Sequence, residues 1–162
     1  MCSAIELAGF AAAQAVCLLF DRQPMLPLAF SRRSSSAATI TILSAGTPDA
    51  IAAVGRRWLD DNVARADEAV IVVDGYVTIA AGRKDALILD LRSYRRPARQ
   101  MRMAVPYRPR HDPAGFAIHR PKFILSSPDA HDAAALTQGF FRGVFSHDTG
   151  ARIWSACADL SW

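Results

Sequence analysis

Between residues 68 and 125 the chain alternates short runs of Val, Ile, Leu and aromatic residues with clusters of turn-forming residues. The runs at 69–79, 85–92, 101–105 and 115–125 have the length and β-branched content of strands. Following one another so closely, they predict an antiparallel meander. Within the first run, Asp74-Gly75 suits the positive φ of a type I′ turn, which would split it into a hairpin. A single long strand bulged at Gly75 fits the same residues, and both readings stay open.

Ahead of the meander the periodicity changes. Residues 3–20 are apolar on nearly every helical face, and Ser3 and Glu6 have the spacing of a capping box. Such a helix belongs in a core, in an interface or in a membrane. The run falls short of the roughly twenty residues a span needs, contains Glu6 and Gln14, and has no Lys or Arg before it. The expectation is a central core or interface helix, with an export signal or membrane anchor as the alternative. After Asp21-Arg-Gln-Pro24, residues 25–30 with Pro27 among them predict an edge strand or an extended segment. A polar Arg/Ser tip follows at 31–36, and 38–43 alternates as a half-buried strand.

Thr47-Pro48-Asp49 opens a second helix, with Thr47 as N-cap and Pro48 at the position where a missing N–H costs nothing. Ile51, Val54, Trp58, Leu59 and Val63 make its apolar side, and Asp61 stands four before Arg65. Ser127-Pro128-Asp129 repeats the device and opens a helix to about residue 146. Gly139 and Gly143 weaken that helix and suggest close approach to another backbone. Residues 151–160 fit a short helix or a last strand equally well. Together these elements predict an α+β fold in a single domain spanning 1–162. Its core is an antiparallel meander of five to six strands, with helices mainly on one face, in the order α-β-β-α-β-β-β-β-α.

Composition adds few constraints. With 162 residues, half of them apolar, the chain is large enough for one well-buried core. Three cysteines without paired spacing argue against a disulfide framework and for a reducing, cytoplasmic setting. Charge is more informative. Residues 92–122 hold nine basic side chains and one acid, a net +8, while the remainder carries −4. Seventeen of the nineteen basic residues are Arg, in keeping with a GC-rich bacterial coding bias. The arginines cluster in two loops, Arg95, Arg96 and Arg99 in one and Arg108 and Arg110 in the next. These are the candidate anion-binding residues. Because the loops follow successive antiparallel strands, they should lie at opposite ends of the sheet. Charged strand edges that deter edge-to-edge pairing are the competing explanation.

Catalytic chemistry has less support. Asp85, Asp90 and Arg92 follow the acid–strand–acid–x–base pattern of two-metal nucleases. Arg replaces the expected Lys, however, and an odd separation puts the two carboxylates on opposite faces of a regular strand. His119, beside Arg120, is a candidate base in an anionic pocket. The remaining histidines precede Asp directly and belong to turns and helix ends. No zinc spacing, P-loop, dinucleotide fingerprint or nucleophile elbow is present, so neither a cofactor nor a metal is expected. The sequence thus leads to a small homodimeric binding module for an anionic small molecule or acidic protein. Nucleic acid is one polyanion candidate and a membrane is not expected. A phosphodiesterase built on Asp85, Asp90 and Arg92 is the enzymatic alternative.

Overall fold

A computed structural model describes residues 2–34, 36–44, 47–80, 82–125 and 130–159. The elements in chain order are α1 (Cys2–Phe20), β1 (Leu28–Arg32), β2 (Thr39–Ile42), α2 (Pro48–Asp60), β3 (Glu68–Ile79) and β4 (Gly82–Ser93). They continue with β5 (Arg99–Arg108), β6 (Ala117–Ile118), β7 (Lys122–Leu125), α3 (Ala130–Phe145) and α4 (Asp148–Cys157). The fold is α+β, and its sheet is antiparallel throughout, in the order β2-β1-β3-β4-β5, with β6 and β7 both on the outer side of β5. Pro121, which has no N–H to give to a ladder, lies in the gap between β6 and β7.

The meander is longer than its sequence signal. β3 and β4 pair residue for residue from Glu68↔Ser93 to Ile79↔Gly82, so Asp74-Gly75 is neither a turn nor a bulge. Bulky strand formers on both sides keep the ladder running, and the chain reverses only after Ile79. Alternate residues then divide the sheet. Val70, Val72, Leu87, Leu89, Leu91, Met103 and Val105 face one side, and Ala69 and Ile71 face the other.

The first side explains why α1 is apolar all round. It contacts β1, β3 and β4 below and α3 and α4 above, so it forms a middle layer with almost no wet face. Ala4, Ala8, Ala11, Ala12, Ala13 and Ala15 are fully buried and keep the helix thin. The crossing with α3 is closer still. A methyl group at Gly9 would overlap the Phe140 carbonyl, and one at Gly143 would overlap the Glu6 carbonyl; Gly150 lies against Ala13 in the same way. The close approach read from Gly143 is therefore real, and its partner is α1.

The capping box does not form. The helix already begins at Cys2 and includes Ser3. The Ser3 hydroxyl and carbonyl accept from Arg32 Nη2 at 3.0 and 2.6 Å, and Glu6 accepts from Arg142 of α3 at 2.8 Å. Arg32 also pairs with Glu68 at 2.9 Å, where the carboxylate is 2 % exposed. One guanidinium thereby ties the start of α1 to β1 and β3.

α2 packs alone on the second face, with Leu59, Gly55 and part of Trp58 against Leu43 and Ile71. Its Thr47 N-cap is as expected, Oγ1 accepting from Ala50 N–H at 3.3 Å. Val54 and Val63, however, are exposed, and the helix ends at Asp60, too early for an Asp61–Arg65 pair. The leading hairpin is also reversed from expectation. β1 is an interior strand that begins after Pro27, and β2 is the edge, with all four residues exposed rather than half-buried. The cap read at Ser127-Pro128-Asp129 lies outside the described residues. Residues 148–157 are helical, and Ala158 then bridges to Ile118 of β6.

Candidate anion-binding end of the sheet

Arg95, Arg96 and Arg99 lie in and beside the β4–β5 turn, whereas Arg108 and Arg110 lie beyond the far end of β5. Nine residue steps along β5, about 30 Å at the usual rise, separate Arg99 from Arg108. The two groups cannot share a ligand of small size.

At the far end both guanidinium groups are committed to the fold. Arg108 donates to the carbonyls of Gly115 (2.7 Å) and Ala114 (3.3 Å) and reaches the Asp159 carboxylate at 3.4 Å. Arg110 donates to the Phe20 carbonyl at the end of α1 and stacks over the Phe20 ring. The carbonyls at a helix C-terminus lack partners within the helix, so a cation there is a cap.

The near end is built differently. Three loops meet there: the β1–β2 tip, the α2–β3 connection and the β4–β5 turn. Their meeting point is Asp67, whose Oδ2 accepts from Ser34 N–H and from Arg95 Nη2. The Ser34 backbone N–H, and then the Arg95 guanidinium, hold the Asp67 carboxyl below its ordinary range. Arg33 of the tip donates to the carbonyls of Ala64 and Arg65, both at 3.0 Å. The three loops joined here carry five exposed arginines, Arg33, Arg65, Arg95, Arg96 and Arg99, of which Arg95 pairs with Asp67. Among the described residues neither Arg96 nor Arg99 makes an ion pair or hydrogen bond.

Two contacts hold this end rigid. Tyr94 donates its hydroxyl to the Leu59 carbonyl at 2.5 Å, and Arg92 pairs with Asp60 at 3.0 Å, so the last turn of α2 is pinned beside the β4–β5 turn. Burial raises the Tyr94 phenol to about 12, which keeps it a neutral donor throughout the physiological range.

The nuclease-like trio is dispersed. Asp90 and Arg92 share the α2 face of β4, but Asp90 takes a two-pronged bond from Arg102 directly opposite on β5, at 2.6 and 2.8 Å. Arg92 is on Asp60. Asp85 points to the α1 side and lines a cleft at the far end with Tyr76, Lys84, Tyr107, Arg108 and His111. In that region Tyr107 donates to Asp74 at 2.7 Å, and burial lifts both groups above their ordinary values. No group of three His, Cys, Asp or Glu side chains with metal-binding geometry occurs among the described residues. His119 is 1 % exposed, with Nδ1 3.1 Å from the Asp159 carbonyl, and burial pushes its imidazole down. It holds the C-terminal segment to β6 and does not open into the Arg-rich end. His147 sits at a helix end as read. Its Nδ1 accepts from Gly150 N–H at the start of α4, which leaves Nε2 to donate to Gln14 on α1.

The sequence missed Arg33 and Arg65 as members of the site. The only signal was the Arg-bearing polar tip at 31–36, and nothing local shows that it folds back beside residues 64–67. No protein-family model, no curated protein and no solved structure matches this chain.

Proposed function

We propose that this chain is a non-catalytic binding module that takes an anionic ligand, or an acidic segment of a partner protein, on the Arg-bearing end of its sheet. The observation that supports it is that the three loops joined at Asp67 carry five exposed arginines, Arg33, Arg65, Arg95, Arg96 and Arg99. Like charges gathered on rigid loops raise the local concentration of counter-ions and disfavour the folded state slightly, so they favour an anion that relieves them. Free thiols at Cys17 and Cys157 agree with a reducing, cytoplasmic setting. Arg96 and Arg99 provide the unsatisfied donors, and Arg95 shares its charge with Asp67.

A short single-stranded oligonucleotide serves as a polyanion probe. If four phosphates are neutralised, a fourfold rise in salt weakens binding by about 50-fold. An Arg96→Ala/Arg99→Ala variant is expected to lose at least tenfold in affinity at low salt and about half of the salt slope. An Arg22→Ala/Arg152→Ala variant, which removes equal charge far from this end, should retain binding close to that of the parent. Equal losses in the two variants, or no salt-sensitive binding to the oligonucleotide or to an acidic peptide, would defeat the proposal.

A further inference from the structure

The two outer edges of the sheet are treated in opposite ways. On the β5 side, Pro121 interrupts the edge, Lys122 adds charge to β7, and Ala158 and Asp159 bond to Ile118 and cover β6. Interruption, charge and cover are the usual defences against a foreign strand. Among the described residues β2 has none of them. Its sequence is Thr-Ile-Thr-Ile, without charge or proline, and Ile40 and Ile42 are 45 % and 61 % exposed. Two further exposed apolar side chains border the same edge. Leu26 precedes β1, and Val63 lines a groove together with Thr39 and Thr41. Half of the large exposed hydrophobic side chains among the described residues thus gather near this one strand.

The hydrogen-bond phase of β2 specifies what fits. Leu43 N–H donates to the Pro27 carbonyl at 2.9 Å, one step beyond the Leu28↔Ile42 pair. Bonded and non-bonded pairs alternate along an antiparallel ladder. Thr39 and Thr41 therefore aim their N–H and C=O groups at β1, and Ile40 and Ile42 aim theirs outward. We propose that β2 is the seam of a homodimer in which two copies of this chain pair β2 with β2 antiparallel, about a two-fold axis at Thr41.

That register places Ile40 opposite the partner's Ile42 and Ile42 opposite the partner's Ile40. Both are outward-bonding positions and both lie on the α1 side of the sheet. Four backbone hydrogen bonds and two β-branched cross-strand pairs form, and the sheets join into one. The two-fold also doubles the apolar border supplied by Leu26 and Val63. A second copy is favoured over an unrelated strand because this edge is self-complementary in bonding phase, side-chain shape and charge, as an isologous contact requires. The seam is short, so the dimer is of the reversible class. The strand itself contains no residue of the anion site, although the groove beside it is also lined by Arg33 and Ala64.

Sedimentation equilibrium of the full chain over roughly 5–500 µM is expected to move the mass from 17.6 kDa toward twice that value. Ile42→Pro deletes an outward N–H without touching a β1 bond. Both it and Ile42→Lys should remain monomeric over the same range, a weakening of at least tenfold. Ile124→Lys, at an exposed isoleucine on β7, should associate as the parent does. If circular dichroism shows that Ile42→Pro does not fold, Ile40→Lys reads out the same edge through its side chain. A parent that stays monomeric throughout, or lysine variants at 40 and 42 that associate like the parent, would overturn the proposal.

Discussion

Gly9→Ala is expected to destabilise the fold by about 3 kcal/mol, the upper end for overpacking a core, although alanine is the better helix former. The added methyl would occupy the space of the Phe140 carbonyl, with the Val144 backbone behind it. Rotamer adjustment offers no relief, because the obstructing atoms are main chain. α1 and α3 would have to separate, and the reciprocal contact of Gly143 with Glu6 and Phe10 would open with them. Urea unfolding followed by circular dichroism measures the effect. Gly115→Ala is the control: it sits at φ +80° with nothing within 4 Å of the added carbon, so it should lose only about 1 kcal/mol, from conformation alone. A Gly9→Ala protein within about 0.5 kcal/mol of the parent, the range of an ordinary surface change, would contradict the packing of α1 on α3.

Arg32→Leu is expected to cost about 3–5 kcal/mol, the usual result of stranding one member of a buried ion pair. The loss arises chiefly at Glu68, whose side chain is 2 % exposed and accepts from both Nε and Nη2 of Arg32. Replacing both residues by Leu should recover most of that loss, since a well-packed apolar pair often equals a buried ionic one. Recovery should fall short of complete because the bonds from Arg32 to Ser3 at the start of α1 also vanish. The double-mutant cycle in urea tests this. Additive single-mutant effects would show that the two side chains do not interact.

These two sites illustrate where sequence reading stops. The apolar character of residues 3–20 showed that α1 is buried, yet not that it lies between a sheet and a second layer of helices. Alanine periodicity records that a face is covered but leaves the covering element open. Arg32 and Glu68 are 36 positions apart on paired strands, and no local spacing links them. Alternation at 38–43 was real, but alternation cannot tell an interior strand from an edge whose neighbour is missing. Of the two readings of 69–79 the single long strand holds, without a bulge at Gly75; the turn preference of Asp74-Gly75 is local, and pairing along twelve residues overrides it.

The +8 segment looked like a polarised surface, but Arg92, Arg95, Arg102 and Arg108 pair with Asp60, Asp67, Asp90 and Asp159, all drawn from the acidic remainder of the chain. Much of the apparent asymmetry is therefore cancelled within the fold. The separation of the two Arg loops to opposite ends was legible from strand direction alone. The recruitment of Arg33 and Arg65 was not, because it depends on a hairpin tip folding against the α2–β3 connection. Within the segment Arg96, Arg99, Arg110, Arg120 and Lys122 have no ion pair among the described residues, and of these Arg96 and Arg99 lie at the near end.

The most direct measurement is an amide-resolved NMR titration of the 15N-labelled chain with inorganic polyphosphate at low salt. Saturable shifts confined to residues 33–36, 64–67 and 94–99 are expected, reversed by added salt, with the amides around Arg108 and Arg110 unmoved. Shifts centred on residues 107–116, or spread without focus over every exposed arginine, would contradict it.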